Sequence, residues 1–267
     1  MDDRPEDPGV GHEQGKAGQG RKMTETGEKG TFGVVLAAAG EGARFAAGGG
    51  GSRKQFMELG GRPMITCSLD VFSSIPEIRM LCIVAPAGDL EALGELLRAW
   101  SPQEPGLEVT LAAGGASRQE SVKLGFDAIG EACDWILVHD AARPLIETAD
   151  VRSLMAVVCE HGAAALGHPA TDSVKLESAG LSERCLDRDR TWLVQTPQGA
   201  SVENFRKAYS LVPAGEEFTD ELALLEAAGI SARLVEGSRE NIKVTLPGDD
   251  ELALFFLSRR EAARADG

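Results

Sequence analysis

A glycine-rich stretch with two basic side chains is the first part of the chain that could do chemistry. The sequence AAGEGARF at 38–45 follows an apolar run, and RKQ stands at 53–55. Glycine lets backbone N–H groups approach a phosphate chain, and Arg44 and Lys54 can neutralise phosphate oxygens. The stretch is not a dinucleotide fingerprint, because Phe45 stands where the third glycine belongs, and it lacks the Gly-Lys-Ser/Thr of a Walker A loop. We predict a phosphate-binding loop here, with a plain surface loop as the alternative.

The second motif, GGASRQESV at 114–122, combines a helix start with residues that a helix start does not require. Ser117 and Glu120 have the spacing of a capping box, which satisfies the first backbone N–H groups of a helix. That interpretation leaves the paired glycines and Ser121 unexplained. A helix N-terminus preceded by glycines also suits an anion or the polar edge of a base, so the motif predicts a helix that begins at a binding site.

The third motif, VHDAARP at 138–144, places an acid and a base directly after a buried strand. Asp140 and Arg143 would be costly there unless they are paired or functional. Two interpretations are open. The pair is purely structural, or Asp140 lies near a metal-bound phosphate and Arg143 binds a substrate anion.

Five shorter motifs point to no particular chemistry by themselves. Thr219 is typical of a helix N-cap followed by acids. Lys243 lies in a predicted strand and could simply face solvent. The motifs are TDS at 171–173, DR at 187–188, TPQ at 196–198, FTDE at 218–221 and NIKVT at 241–245.

The elements that must position these motifs alternate between strands and helices. Short apolar runs, the first of them VVLAA at 34–38, alternate with stretches of helical length. This pattern favours an α/β domain whose mainly parallel sheet is covered on both faces. Ligands of such sheets bind beyond the carboxyl ends of the strands, where the glycine motifs and Asp140 fall. The predicted strands are 34–38, 79–85, 108–112, 135–139, 163–166, 232–235 and 242–245, and the predicted helices are 63–73, 89–100, 117–129, 148–160, 201–210, 219–228 and 248–260.

Two segments depart from this alternation. Residues 1–30 are rich in glycine and charge and almost free of large aliphatic side chains, so we predict a disordered tail before a single domain at 31–262. Residues 170–195 lack helical periodicity, carry several charges and are predicted to form an extended hairpin arm. Such an arm buries little surface by itself, so we expect it to pack on another subunit.

Composition narrows the class of protein. The 267 residues include 27 Lys and Arg against 42 Asp and Glu, and the net charge of −15 disfavours binding to nucleic acid or anionic membrane. A small anionic ligand is still compatible with this charge where basic residues cluster. No apolar run is long enough to span a bilayer. The five cysteines form no Cys-x-x-Cys or His/Cys cluster, which indicates reduced thiols of a cytoplasmic protein without zinc.

Taken in order, these motifs resemble one family, the 2-C-methyl-D-erythritol 4-phosphate cytidylyltransferases. The resemblance implies transfer of CMP from CTP to that sugar-alcohol phosphate with Mg²⁺, release of pyrophosphate, and a place in non-mevalonate isoprenoid synthesis. It also implies a single Rossmann-like nucleotidyltransferase domain of the GT-A type, with a β-arm that completes a homodimer. The matching pieces are AAGEGARF with RKQF, GGASRQESV, VHDAARP, TDSVK, DR before TWLVQTPQ, FTDE and NIKVT, which span about residues 32–257.

The resemblance also implies roles for individual residues. Asp140 falls at the edge shared by ribose, metal and substrate, and is the expected Mg²⁺ ligand beside the CTP phosphates. The residues expected to be catalytic, by countering phosphate charge, are Arg44, Lys54 and Lys243. The residues expected to bind CTP are Ala38, Ala39, Gly40, Gly42, Gly115, Ser121 and Asp140. The residues expected to bind the acceptor are Arg143, Ser173, Arg188 and Thr196.

Departures from the family pattern lie in the loop and the arm. Arg53 replaces the usual proline and could add a phosphate contact, and the glycines at 48–51 lengthen the loop. Ser173 replaces the usual arm threonine and keeps its hydroxyl, so we expect the phosphate contact to survive.

Three other functions were weighed against this one. A ribitol 5-phosphate cytidylyltransferase of the same superfamily is the nearest alternative, because the CTP motifs serve both enzymes. A dinucleotide-binding oxidoreductase is disfavoured by the broken fingerprint. A non-catalytic nucleotide-binding regulator is disfavoured because the basic residues and Asp140 are all retained.

Overall fold

The structure, a computed structural model, describes residues 30–40, 56–213 and 216–265. Its main element is a seven-stranded sheet. The strands lie in the order β11-β7-β10-β6-β1-β4-β5. They are β1 Phe32–Ala37, β4 Ile78–Ala85, β5 Glu108–Ala113, β6 Trp135–Asp140, β7 Ala163–Pro169, β10 Trp192–Ser201 and β11 Arg233–Glu236. Two small hairpins join β2 Glu58–Leu59 to β3 Arg62–Pro63 and β8 Lys175–Ser178 to β9 Leu181–Cys185.

The sheet is mainly parallel, as predicted. Neighbouring strands pair in parallel except at β10, which runs antiparallel to both β6 and β7. β1 lies inside the sheet between β6 and β4, so its apolar run FGVVLA is covered on both faces. A continuous rather than alternating apolar run is what a strand of a doubly covered parallel sheet requires.

Helices cover both faces of the sheet and bury alternate side chains of its strands. In β1, Val34 and Leu36 pack into a core on one face of the sheet, whereas Val35 packs into a second core on the other face. No helix of the described ranges is long and apolar enough to cross a membrane. The helices are α1 Ile65–Ser73, α2 Leu90–Ala99, α3 Arg118–Ile129, α4 Thr148–His161, α5 Val202–Leu211, α6 Glu221–Ala227 and α7 Asp249–Ala265.

Gly125 lets α3 lie close to the sheet. A Cβ at this position would lie 2.6 Å from a methyl carbon of Val35 and 2.7 Å from one of Val84. We expect Gly125→Ala to lower the free energy of unfolding by roughly 1–3 kcal/mol through overpacking, although alanine favours a helix by about 1 kcal/mol. Gly94→Ala in α2 is the matched control, because its Cβ would meet no atom closer than 3.8 Å. Urea denaturation should show the control stabilised, and a stabilised Gly125→Ala would contradict the prediction.

The arm predicted at 170–195 ends earlier than expected. Its hairpin turns at Ala179 and Gly180, whose φ values of 50° and 80° are the positive angles that a two-residue hairpin turn favours. The chain then re-enters the central sheet at Trp192, the first residue of β10, so the assignment of residues 192–195 to the arm was wrong. β10 itself was not predicted. The predicted tail falls almost entirely within residues 1–29, outside the described ranges.

Candidate active site

A polar pocket lies where β6 ends. Asp140 is the last residue of β6, Arg118 is the first residue of α3, and Lys243 comes from the irregular segment after β11. The carboxyl end of a parallel strand is the edge at which ligands of such sheets bind. The pocket is lined by Arg118, Asp140, Arg143, Val194, Gln195, Thr196, Gln198, Thr219, Asp220 and Lys243.

The carboxylate of Asp140 is the centre of charge in this pocket. Its Oδ2 lies 2.6 Å from Nζ of Lys243 and 4.0 Å from Nε of Arg143, and its Oδ1 lies 3.2 Å from Nη2 of Arg118. Burial alone would raise the pKa of Asp140, but Arg118 and Lys243 outweigh it and hold that pKa well below its ordinary value. Asp140 is therefore an anion, and the Asp140–Arg143 pair considered from the sequence is its longest cationic contact.

Arg118 is a pocket residue that sequence reasoning missed. Its Nη1 and Nη2 bind Oε1 and Oε2 of Glu221 at 2.8 and 3.0 Å, a bidentate pair, while Nε and Nη2 reach Oδ1 of Asp140. Burial would lower the pKa of Arg118, but Glu221 and then Asp140 raise it above its ordinary value. Glu221 lies 103 positions away, so no local spacing could have indicated the pair.

The N-cap of helix α6, which supplies Glu221, lies one residue later than predicted. Its N-cap is Asp220, not Thr219, because Oδ1 of Asp220 accepts a hydrogen bond from the N–H of Ala223 at 2.9 Å. Gln198 of β10 fixes the same helix start. Its Nε2 donates to Oδ2 of Asp220 at 3.2 Å, and its Oε1 accepts from the N–H of Leu222 at 2.8 Å.

A buried histidine and a threonine form a hydrogen-bond chain that fixes the backbone at Asp140. Oγ1 of Thr196 accepts from the N–H of Asp140 at 3.0 Å and lies 3.0 Å from Nδ1 of His139, whose Nε2 lies 3.1 Å from the carbonyl of Arg143. A carbonyl can only accept, so Nε2 carries the proton and Nδ1 accepts from the Thr196 hydroxyl. Burial lowers the pKa of His139 to about 4, which keeps the ring neutral.

The neutral state of His139 predicts a loss of stability in mild acid. The unfolded chain protonates this ring below about pH 6.5, whereas the folded chain does so only below about pH 4. Between these values the unfolded state binds more protons, so the free energy of unfolding falls as the pH falls, by roughly 3 kcal/mol in all. His139→Gln should flatten this dependence. Urea denaturation from about pH 7 to about pH 5 tests it, and identical slopes for both proteins would contradict it.

The segment that carries Lys243 is fixed by side chains. Asn241 is fully buried, and its Nδ2 donates to the carbonyl of Thr196 at 3.0 Å and to Oε1 of Gln195 at 3.2 Å. The carbonyl of Asn241 accepts from Nη1 of Arg143 at 2.8 Å. These contacts tie the segment to β10 and to the loop after β6, and so place Lys243 at the pocket.

One expectation about this segment was wrong. Residues 242–245 were predicted to form a strand, but they have no strand structure, and Val244 N–H donates to the carbonyl of Ala142 in an isolated contact of 2.8 Å. Lys243 is partly exposed, as the solvent-facing alternative allowed, but its ammonium also binds Asp140, which brings it to the pocket. The buried positions of NIKVT, Asn241 and Val244, are three residues apart, so the segment does not have the alternating burial of a strand.

The Ser117 half of the predicted capping box at the start of α3 is present, whereas Glu120 binds the residue before the N-cap. Oγ of Ser117 accepts from the N–H of Glu120 at 3.1 Å, and the carboxylate of Glu120 accepts from the N–H of Ala116 at 2.7 Å. Ser121, which the box does not explain, donates to the Ser117 carbonyl at 2.8 Å and accepts from the N–H of Gly115 at 3.1 Å. Ser121 therefore fixes the loop in front of the helix.

Several expected CTP-binding residues lie on two loops that contact each other. A Cβ on Gly114 would lie 2.6 Å from the Cβ of Ala39, so the chain after β1 packs directly against the chain before α3. Ala38 is buried beneath it, whereas Gly40 is exposed, with open space where a side chain would be. The described start of the first glycine motif therefore lies against the start of the second.

The remaining predicted site residues fall into two groups. Gly42, Arg44 and Lys54 lie outside the described residues. Ser173 and Arg188 are exposed on the arm and are not among the residues that line the pocket.

The pocket fits a magnesium ion that arrives with phosphates. In the described part of the chain no three His, Cys, Asp or Glu side chains are grouped so as to hold a metal by themselves. Mg²⁺ is commonly bound through one or two carboxylates together with substrate phosphates and water. Asp140 would be the protein ligand, and its Oδ2, which faces Lys243, is the oxygen that could exchange its partner.

Comparison with known proteins identifies the family. The family model for 2-C-methyl-D-erythritol 4-phosphate cytidylyltransferase matches residues 32–259. A protein of that name from Acidobacterium capsulatum is 36% identical over 237 residues, covering 86% of this chain and 98% of the relative. Another from Haemophilus influenzae is 37% identical over 233 residues, covering 85% and 97%.

Structural comparison agrees with the sequence match. The crystal structure of 2-C-methyl-D-erythritol 4-phosphate cytidylyltransferase from Thermus thermophilus is 29% identical, with a TM-score of 0.66 over 85% of this chain and 98% of that one. The fold, the order of the motifs and the family model point the same way. This chain belongs to the 2-C-methyl-D-erythritol 4-phosphate cytidylyltransferase family.

Proposed function

We propose that this chain transfers CMP from CTP to 2-C-methyl-D-erythritol 4-phosphate and releases pyrophosphate, a step of isoprenoid precursor synthesis. The family match over residues 32–259 carries this assignment. The comparisons give no support to the ribitol 5-phosphate alternative, and a nucleotidyltransferase family replaces the oxidoreductase alternative.

The reaction makes one phosphorus–oxygen bond and breaks another. An oxygen of the acceptor phosphate attacks the α-phosphorus of CTP, and the bond from that phosphorus to the bridging oxygen of the β-phosphate breaks. Pyrophosphate leaves with the electron pair. A phosphate monoester is already nucleophilic near neutral pH, so the protein's task is to bring two anions together in line and to stabilise the charge.

Two cations of the pocket suit this task. The ammonium of Lys243 is half-exposed and sits on a flexible stem, so it can turn from Asp140 towards a phosphate oxygen. Nε of Arg143 is buried and has no hydrogen-bond partner, which leaves an N–H group for the acceptor anion. We assign CTP phosphate contacts to Arg44 and Lys54 from their place in the glycine-rich motif.

Mg²⁺ is the proposed cofactor. Bound between Asp140 and the phosphates of CTP, it would neutralise charge and polarise phosphoryl oxygens. The protein's own contribution is to present Asp140 as an anion, which Arg118 and Lys243 secure by lowering its pKa.

We propose that the enzyme acts in the cytoplasm as a homodimer joined through the β8–β9 arm. Both strands of the hairpin are exposed along their whole length, and Leu181 is 73% exposed. A lone two-stranded hairpin is marginal in water, so a second copy of the chain is the natural cover for it. Ser173 and Arg188 lie at the two ends of this arm, and we assign their acceptor contacts to the partner's pocket.

The dimer proposal predicts the effect of one arm substitution. Leu181→Asp should shift the protein towards monomer by about tenfold or more in dissociation constant, because it puts a charge into the apolar contact. Sedimentation equilibrium measures the shift. Leu211→Asp, also exposed but on α5, is the control and should leave the association unchanged. A wild-type monomer at micromolar concentration would contradict the proposal.

The activity itself is tested by pyrophosphate release from CTP and Mg²⁺ with two acceptors in parallel. Release with 2-C-methyl-D-erythritol 4-phosphate alone is the expected result. Release with ribitol 5-phosphate instead would keep the fold and the CTP site but overturn the acceptor. Silence with both acceptors despite CTP binding would overturn the enzymatic function.

A further inference from the structure

The two carboxylate oxygens of Asp140 have different partners. Oδ1 is held by Nε and Nη2 of Arg118 at 3.3 and 3.2 Å, and Oδ2 is held by Nζ of Lys243 at 2.6 Å. If Lys243 turns towards a phosphate, it releases Oδ2 only. The contact at Oδ1 decides whether the carboxylate then keeps its orientation.

Arg118 is itself anchored, whereas Lys243 is not. The guanidinium of Arg118 forms a bidentate pair with Glu221, whose side chain is 4% exposed. The start of α6 that carries Glu221 is tied to β10 by Gln198. Lys243 reaches Asp140 with one ammonium, and its side chain is 39% exposed. A planar fork fixed on a second carboxylate loses less freedom for each hydrogen bond than a flexible ammonium does.

We propose that Arg118 is a positioning residue, which keeps the carboxylate of Asp140 in place while Lys243 exchanges it for a phosphate oxygen of the substrates. This inference rests on the proposed function. Arg118 acts through Asp140 and makes no bond to the reacting atoms. Without Arg118, the orientation of the Asp140 carboxylate would depend on Lys243, which has to leave it during the reaction. Each turnover would then begin from a displaced carboxylate.

The test needs a variant that folds. Removing Arg118 alone would leave Glu221 buried without its partner, which is strongly destabilising. The double variant Arg118→Gln/Glu221→Gln removes both buried charges and allows amide–amide hydrogen bonding at the same place. Arg118→Lys is the conservative variant, since one ammonium can reach Asp140 without forming the fork. Arg206→Gln is the control, because Arg206 lies on α5 and forms an exposed pair with Glu131, and neither residue lines the pocket.

A double-mutant cycle with Asp140→Asn separates positioning from folding. The double variant should lower kcat by about 10–100-fold and change KM for either substrate less than about threefold, after correction for the folded fraction seen in thermal unfolding. Arg118→Lys should recover part of kcat. In the Asp140→Asn background the same pair of changes should cost less than about threefold, because the group through which Arg118 acts is gone.

Each outcome decides one claim. Equal costs in both backgrounds would show that Arg118 merely supports the fold and would overturn the inference, as would full activity of the double variant. A wild type that releases no pyrophosphate would instead overturn the proposed function and this inference with it. The inference would be supported by unchanged thermal unfolding together with a kcat loss seen only in proteins that keep Asp140.

Discussion

Replacing Lys243 with methionine should lower kcat by about two to three orders of magnitude, with a smaller rise in KM for CTP. Among the described cations of the pocket, Lys243 is the one that can move with the phosphates. Its ammonium ends a flexible chain, and its side chain is 39% exposed. Its charge matters most when negative charge moves from the α-phosphate to the leaving pyrophosphate. Methionine keeps much of the side chain's length and apolar contact, so the loss would report the charge.

A matched control exists on α3. Lys123 is also 39% exposed and also pairs with an aspartate, Asp127, at 2.5 Å, but it does not line the pocket. Lys123→Met should leave kcat within about twofold. Steady-state pyrophosphate release from all three proteins makes the comparison. An effect of Lys243→Met on KM alone, with kcat intact, would remove Lys243 from transition-state stabilisation.

Replacing Asp140 with asparagine should lower kcat by about a hundredfold or more and the free energy of unfolding by roughly 3 kcal/mol. Its carboxylate is only 9% exposed and lies among the cationic ends of Arg118, Arg143 and Lys243. The asparagine amide has nearly the same shape but no charge. The cations would then repel one another, and the pocket would lose its proposed Mg²⁺ ligand.

Asp70→Asn is the control for the loss of a paired aspartate. Asp70 binds Arg62 at 2.5 Å and accepts from the indole of Trp100 at 2.8 Å, away from the pocket. Asp70→Asn should lower the free energy of unfolding by about 1 kcal/mol at most, through loss of the ion pair, and should leave kcat unchanged. Thermal unfolding and pyrophosphate release measure the two effects separately. An Asp140→Asn enzyme with wild-type kcat would contradict the central role given to this carboxylate.

The parallel half of the fold could be predicted because its strands have a local sequence signature. The run at β1 is apolar at every position, and such a run between turn signals has few structures open to it other than a doubly covered strand. Asp140 could be singled out for the same reason, since a charged residue directly after a buried strand needs an explanation. These inferences use only neighbours in the chain.

β10 was not predicted because its chemistry is atypical of a strand. Pro197, Gly199 and the buried glutamines Gln195 and Gln198 interrupt the apolar pattern. The glutamines are tolerated there because their amides bind the start of α6 and the segment of Asn241. The residues that interrupt the apolar pattern of β10 include those that line or support the pocket. Sequence periodicity therefore failed to predict a strand at the site.

Arg118 was missed for a different reason. Ser117 and Glu120 near it were explained by the capping box, and the one local signal, a cation in the first turn where the helix dipole disfavours it, was not used. Its meaning depends on Glu221 and Asp140, which come from other elements. A contact between residues so far apart in the chain is a property of the fold and leaves no mark on local spacing.

The late position of β10 in the chain has a consequence for biosynthesis. β6 is made well before its neighbour, so until residues 192–201 emerge its backbone presents unpaired N–H and C=O groups along one side. Such a free strand edge is a template for intermolecular pairing. A nascent or truncated chain that ends within the arm is therefore the form most exposed to aggregation. The strand that brings Thr196 to Asp140 is also the one that covers this edge of β6, so β10 serves both the pocket and the protection of the sheet.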